Sequence, residues 1–308
     1  MRSRCTIPPL ARAAVAEFIG TFVLVTIGSG SVAQSQLTDG AKGNYFTINW
    51  GWAIGCSLGI LISAKASGGH LNPAVTMALA VGKDFPWKRL PVYWCAQYLG
   101  ALAASGTVLG VYYEAIAMYK VDGQFRINAN ASEPGSAAIF ANYPAAYSSV
   151  ITGLMEEVFC TTIFMLVICV VTNPKHLKVP SYLQPIYIGF TLLAVGVAYG
   201  SNGGYALNPA RIWLHDWFLI LVDGENECSG KVIFRLIATC KLSVSVFNTA
   251  FFLCFQLPWL QLVLDFSCWT PCRSHYWCRY FPLSDLGRRP DSGNSECNGK
   301  FTGANHRI

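Results

Sequence analysis

Long apolar runs separated by short polar connections dominate this chain. Runs near 13–34, 46–65, 91–113, 149–172 and 184–200 approach or exceed the ~20 residues that cross a bilayer as a helix, and a sixth lies near 242–266. The pattern predicts an all-α membrane protein whose main partner is the lipid bilayer. The first run is expected to span rather than to be removed as a signal peptide, because it is long and lacks a small-residue cleavage site. The connections orient the spans. Arg2, Arg4 and Arg12 precede the first, Lys83, Lys88 and Arg89 follow the second, and Lys175, His176 and Lys178 follow the fourth. Positive residues gather on the cytoplasmic side. The N-terminus is therefore expected to be cytoplasmic and the segment 114–147 to lie outside. That outer segment holds Asn130-Ala131-Ser132, a glycosylation sequon.

Composition agrees. Of 308 residues, 53% are hydrophobic and 12% charged, against roughly 25% charge in ordinary soluble domains. Disorder is excluded, since it needs low hydrophobicity and high charge. The net charge of +6 sits in the short loops, so nucleic acid is not an expected partner. Cys5, Cys56, Cys95, Cys160 and Cys169 are scattered singly, and the other seven of the twelve cysteines lie after residue 227 without Cys-x-x-Cys pairing. No metal or other cofactor is expected.

The chain repeats itself. Ser67-Gly68-Gly69-His70-Leu71-Asn72-Pro73-Ala74 resembles the run from Ser201 through Asn202, Gly203, Gly204, Tyr205, Ala206 and Leu207 to Asn208-Pro209-Ala210. Glu17 with Thr21 in the first span is echoed by Glu157 with Thr161 in the fourth. The repeat divides the chain into a first half over 1–113, an outer connector over 114–147, a second half over 148–211 and a tail over 212–308. Three spans per half force the second copy to insert upside down, and inverted repeats of this kind meet near the bilayer midplane.

Each Asn-Pro-Ala reads as an extended loop feeding a short helix. Pro73 and Pro209 suit a first helical turn, where the missing N–H costs nothing, and Asn72 and Asn208 then stand at N-cap positions. Non-helical backbone is tolerated at membrane depth only where it lines a cavity or is buried in protein. Two half-helix N-termini would face each other, their positive dipole ends opposing cations. The asparagine amides would donate to a passing solute oxygen. Backbone carbonyls of Gly68, Gly69, His70, Leu71, Gly204 and Ala206 would accept from it. Such a path suits neutral hydrogen-bonding solutes and opposes protons and cations.

Ala16-Glu17-Phe18-Ile19-Gly20-Thr21, the run Ser67–Ala74 and Asn208-Pro209-Ala210-Arg211 together resemble the aquaporin (major intrinsic protein) family over about residues 11–211. The segments Phe46-Thr47-Ile48-Asn49, Leu90-Pro91-Val92-Tyr93 and Ala138-Ile139-Phe140-Ala141-Asn142-Tyr143-Pro144 resemble its aquaglyceroporin branch. The resemblance implies a passive homotetrameric channel, with water, glycerol and urea as solutes and the plasma membrane as its site. It implies a selectivity filter of Trp52, Gly196, Tyr205 and Arg211. Glycine in place of a bulkier residue would leave room for a carbon chain, Trp52 and Tyr205 would offer an apolar corner to CH groups, and Arg211 would donate to hydroxyls. It implies that Glu17 and Glu157 hold the two loops through backbone hydrogen bonds. An enzymatic role for Glu17, Glu157 or His70 is not expected, because no nucleophile or metal partner lies at useful spacing.

The resemblance stops at Arg211. The family's next residue is aspartate, whereas this chain continues Ile212-Trp213-Leu214-His215-Asp216-Trp217. The tail holds five of the nine tryptophans and seven of the twelve cysteines. Codons exist for 212–217 and for 269–277 that, read in shifted frames, give stretches resembling the family's continuation, so the tail can be an out-of-frame product. The alternative is a genuine divergent tail without a normal sixth span, giving a non-conducting or misfolded chain retained inside the cell.

Overall fold

The structure is a computed structural model that describes residues 7–82, 85–118, 120–121, 124–125, 136–140, 142, 145, 147–174 and 178–212. The sequon at Asn130, the apolar run 242–266, the frame-sensitive residues beyond Ile212, and the loop cations Arg2, Arg4, Lys83, Lys175 and His176 lie outside the described residues.

Local chemistry sets the helix ends. Helix α1 (Pro9–Gln36) opens on a proline. Helix α2 (Tyr45–Ser67) starts at a capping box: Asn44 Oδ1 accepts from Thr47 N–H at 3.1 Å, and Thr47 Oγ1 accepts from Asn44 N–H at 2.8 Å. It ends at Gly68, whose φ of +98° suits a left-handed C-cap. Helix α3 (Pro73–Val81) is a half-length helix capped by Asn72. Helices α4 (Leu90–Val111) and α5 (Tyr113–Met118) follow. Helix α6 (Val150–Thr172) is capped by Ser149, and α7 (Gln184–Tyr199) has proline in its first turn. The all-α reading holds; between α5 and α6, two two-residue strands, β1 (Lys120–Val121) and β2 (Gln124–Phe125), pair antiparallel.

Five spans were expected over these residues. Among the described helices, α1, α2 and residues 151–172 of α6 are long and apolar enough to cross a membrane alone. Helix α7 has 16 residues, about 24 Å at 1.5 Å per residue, short of a ~30 Å hydrocarbon core. Helix α4 has 22 residues and carries Tyr93, Trp94, Gln97, Tyr98, Ser105 and Thr107 among its apolar positions.

Glycines set the crossings. A Cβ on Gly59 of α2 would lie 2.5 Å from the Gly20 carbonyl of α1, and one on Gly100 of α4 would lie 2.5 Å from the Phe18 carbonyl. On α7, a Cβ at Gly189 would lie 2.6 Å from the Ala53 carbonyl. Backbones therefore touch, which suits lipid, where packing rather than water exclusion joins helices. Polarity is arranged inside out. Ile54, Leu58, Leu61 and Ile62 of α2 and Ile151, Met155 and Phe159 of α6 are exposed, while Glu17, Thr21, Asn49, Gln97 and Glu157 are buried.

Candidate functional site

The first loop leaves α2 through Gly68 and Gly69, both at positive φ, and reaches Asn72 through Leu71 at φ +54°. The second passes Gly204 (φ +83°), Tyr205 (φ +40°) and Leu207 (φ +51°) to Asn208. Non-glycine residues seldom adopt this region, so something must hold them. Glu17 holds the first loop. Its Oε1 accepts from Ser67 Oγ at 2.6 Å and His70 N–H at 3.0 Å, and its Oε2 from Leu71 N–H at 2.7 Å and Gln97 Nε2 at 2.8 Å. Glu157 holds the second, accepting from Ala206 N–H at 2.7 Å and Leu207 N–H at 3.0 Å. Both side chains are buried, so these bonds are little screened by solvent.

Each asparagine caps its own helix and clasps the opposite loop. Asn72 Oδ1 accepts from Ala74 N–H at 2.8 Å, and Asn208 Oδ1 from Ala210 N–H at 3.0 Å. Asn72 Nδ2 donates to the Leu207 carbonyl at 2.9 Å, and Asn208 Nδ2 donates to the Leu71 carbonyl at 2.9 Å. The clasp revises the simple reading of the amides and carbonyls as free for solute. One amide hydrogen of each asparagine and one lone pair of each leucine carbonyl are spent across the loops; an amide nitrogen carries two hydrogens and a carbonyl two lone pairs. Gly204 O accepts from Asn142 Nδ2 at 3.2 Å. Pro73 and Pro209 open helical turns, and Ala74 and Ala210 are buried beneath them.

The four expected filter residues come together, with two revisions. Arg211 Cζ lies 3.7 Å from the centroid of the Trp52 ring and 5.8 Å from that of Tyr205. The guanidinium thus covers the indole face that was expected to meet CH groups, an arrangement favoured by the ring quadrupole. Gly196 does not simply leave open space: a Cβ there would lie 2.5 Å from Tyr205 Cζ and 2.8 Å from its hydroxyl. The absent side chain admits the Tyr205 ring. Arg211 Nη2 also donates to Asn142 Oδ1 at 3.0 Å. A small cavity beside this group is lined by Val32, Trp52, Ala138, Asn142, Arg211 and Ile212 among others.

Sequence reasoning missed several members. Asn49, wholly buried, accepts from the Tyr205 hydroxyl and donates to the Tyr45 carbonyl at 2.9 Å, while Tyr45 donates to the Gly196 carbonyl at 3.1 Å. Gln97 bridges Glu17 and Thr76. Tyr93 donates to the Ser67 carbonyl at 2.8 Å, and Trp94 Nε1 to the Pro73 carbonyl at 3.1 Å. A buried polar residue inside an apolar run is the signal that could have found Asn49 and Gln97. His70 packs against Phe85 and Tyr93, with Nδ1 3.2 Å from Thr76 Oγ1.

A family model described as major intrinsic protein matches residues 4–215. Aquaporin-10 of Milnesium tardigradum is 42% identical over 202 residues, covering 66% of this chain and 49% of that protein. Aquaglyceroporin-2 of Rhizophagus irregularis is 42% identical over 196 residues, covering 64% of this chain and 61% of that one. Human aquaporin-9 is 37% identical over 202 residues, covering 66% and 67%. The chain thus spans about half to two thirds of the length of these relatives. The X-ray structure of the aquaglyceroporin from Plasmodium falciparum superposes with a TM-score of 0.69 at 27% identity, covering 82% of this chain and 99% of that one.

Proposed function

Given that the chain belongs to the major intrinsic protein family, whose members are integral membrane channels rather than enzymes, we propose that it is a passive channel for water, glycerol and other small neutral solutes such as urea. The observation that carries this reading is the clasp of Asn72 and Asn208 at facing loop ends. Each amide keeps a second hydrogen for a solute oxygen, while the helix N-termini behind them oppose cations. Water and polyols satisfy both donors and acceptors along such a path without carrying charge.

Trp52, Gly196, Tyr205 and Arg211 form the selective constriction in this reading. Arg211 donates to solute hydroxyls and repels cations, with Asn142 fixing one face of its guanidinium. Tyr205, seated where Gly196 has no side chain, sets the width. Glu17 and Glu157 hold the loops and do no chemistry. The two halves, 1–113 and 148–211, each supply one loop across a common midplane. The channel is a homotetramer in the plasma membrane, with its N-terminus cytoplasmic and Asn130 outside.

The test is osmotic. The full chain, reconstituted into liposomes, is expected to raise both water and glycerol permeability in stopped-flow light scattering, without dissipating a proton gradient. Monodisperse, correctly inserted protein that passes neither solute would overturn the proposal. A second reading rests on the family match ending at residue 215: a chain whose tail departs from the family and does not conduct. Sequencing the transcript across the codons for 208–280 separates a divergent tail from a frame slip.

A further inference from the structure

Glu156 is a buried carboxylate that the loop-holding scheme leaves unused. It stands beside Glu157 on α6 and is 7% exposed. The repeat gives it no counterpart. Aligning Glu17 with Glu157 sets Ala16 opposite Glu156, and aligning Asn72 with Asn208 sets Ser67 opposite Gly203 and Gly69 opposite Tyr205. In the first loop, Gly69 N–H donates to Ser67 Oγ at 3.1 Å. In the second, glycine stands where that serine would be, so the equivalent serine acceptor is absent. Glu156 takes over: Tyr205 N–H donates to its Oε1 at 3.2 Å. Gly203 lies directly against Glu156: a Cβ there would meet its Oε2 at 3.6 Å, an ordinary contact distance. The backbone N–H groups of Asn202, Gly203 and Gly204 also face the Glu156 carboxylate.

The residue held this way is the one whose ring fills the space at Gly196, and it is held at φ +40°, where a tyrosine has little intrinsic preference to stay. We infer that Glu156 is a positioning residue for selectivity: by accepting the Tyr205 N–H from α6, it keeps the Tyr205 ring seated against Gly196 and Asn49 and so keeps the constriction wide enough for glycerol. Released, the backbone relaxes toward negative φ, and the ring swings off Gly196 toward Trp52 and Arg211. This inference rests on the channel reading for its consequence but not for its contact.

Two variants of the full chain in lipid nanodiscs and liposomes test it. Glu156→Leu removes the acceptor with little change in volume; Glu156→Gln keeps a carbonyl oxygen on the same stem. Hydrogen exchange of a peptide covering 202–207 is expected to speed up about tenfold in Glu156→Leu, the scale of one lost hydrogen bond, and to return to the parental rate in Glu156→Gln. The glycerol-to-water permeability ratio is expected to fall in the leucine variant and recover in the glutamine variant. Unchanged exchange in Glu156→Leu, or an equal rise in both variants, overturns the contact. Faster exchange at an unchanged permeability ratio overturns the link to selectivity. If the parent chain passes neither solute, the exchange measurement still decides the contact, and the failure belongs to the channel reading.

Discussion

Replacing Glu17 by glutamine removes one oxygen acceptor from a site where four donors converge. Ser67 Oγ and His70 N–H meet Oε1, and Leu71 N–H and Gln97 Nε2 meet Oε2. If the new amide nitrogen takes the Oε2 place, Gln97 can flip, because its Oε1 is buried without a partner. The Leu71 N–H then faces a donor. If the nitrogen takes the Oε1 place, Ser67 can turn its hydroxyl wholly to the Ser63 carbonyl, already 3.2 Å away. The His70 N–H then faces a donor. Either arrangement strands at least one buried backbone N–H, at about 1–3 kcal/mol. At roughly 2–4 °C per kcal/mol for a chain of this size, the melting temperature of the purified protein should fall by about 2–12 °C. Leu71, at φ +54°, loses part of its restraint, so glycerol flux in liposomes should fall as well. A glutamine variant that melts and conducts like the parent would refute the assignment of Glu17 as the acceptor that holds the loop.

Two further outcomes are expected. Gly196→Ala puts a methyl 2.5 Å from Tyr205 Cζ, so the ring must move, and glycerol permeability should fall more than water permeability; equal losses of both would sink Gly196 as a determinant of solute size. Arg211→Ala removes the cation stacked on Trp52 and should admit a cation or proton leak, read by a pH-sensitive dye in liposomes, while water still passes; a tight variant would place the cation barrier elsewhere.

The loops were legible because glycine, proline and asparagine act locally: the N-caps at Asn72 and Asn208 follow from residue type and spacing alone. The glutamates stand out as carboxylates in apolar runs, but that they hold the loops is implied by the family resemblance rather than by the residues. Contacts between distant segments were not legible. Nothing local says that Tyr205 will occupy the place beside Gly196, or that Arg211 will lie flat on Trp52, since residues near 50, 196 and 211 meet only when α2 and α7 pack. Glu156 went unread because the repeat draws attention to what the halves share, and Glu156 is where they differ.

The reciprocal clasp also bears on how the molecule is made. Ribosomes deliver residue 72 to the membrane long before residue 207, so the Asn72 amide enters the bilayer without the Leu207 carbonyl it will hold, and the Leu71 carbonyl waits in the same way for Asn208. During that interval the first half carries polar groups that only water, lipid headgroups or the insertion machinery can satisfy. Two halves synthesised as separate polypeptides in one membrane should therefore find each other, each supplying the hydrogen bonds the other lacks.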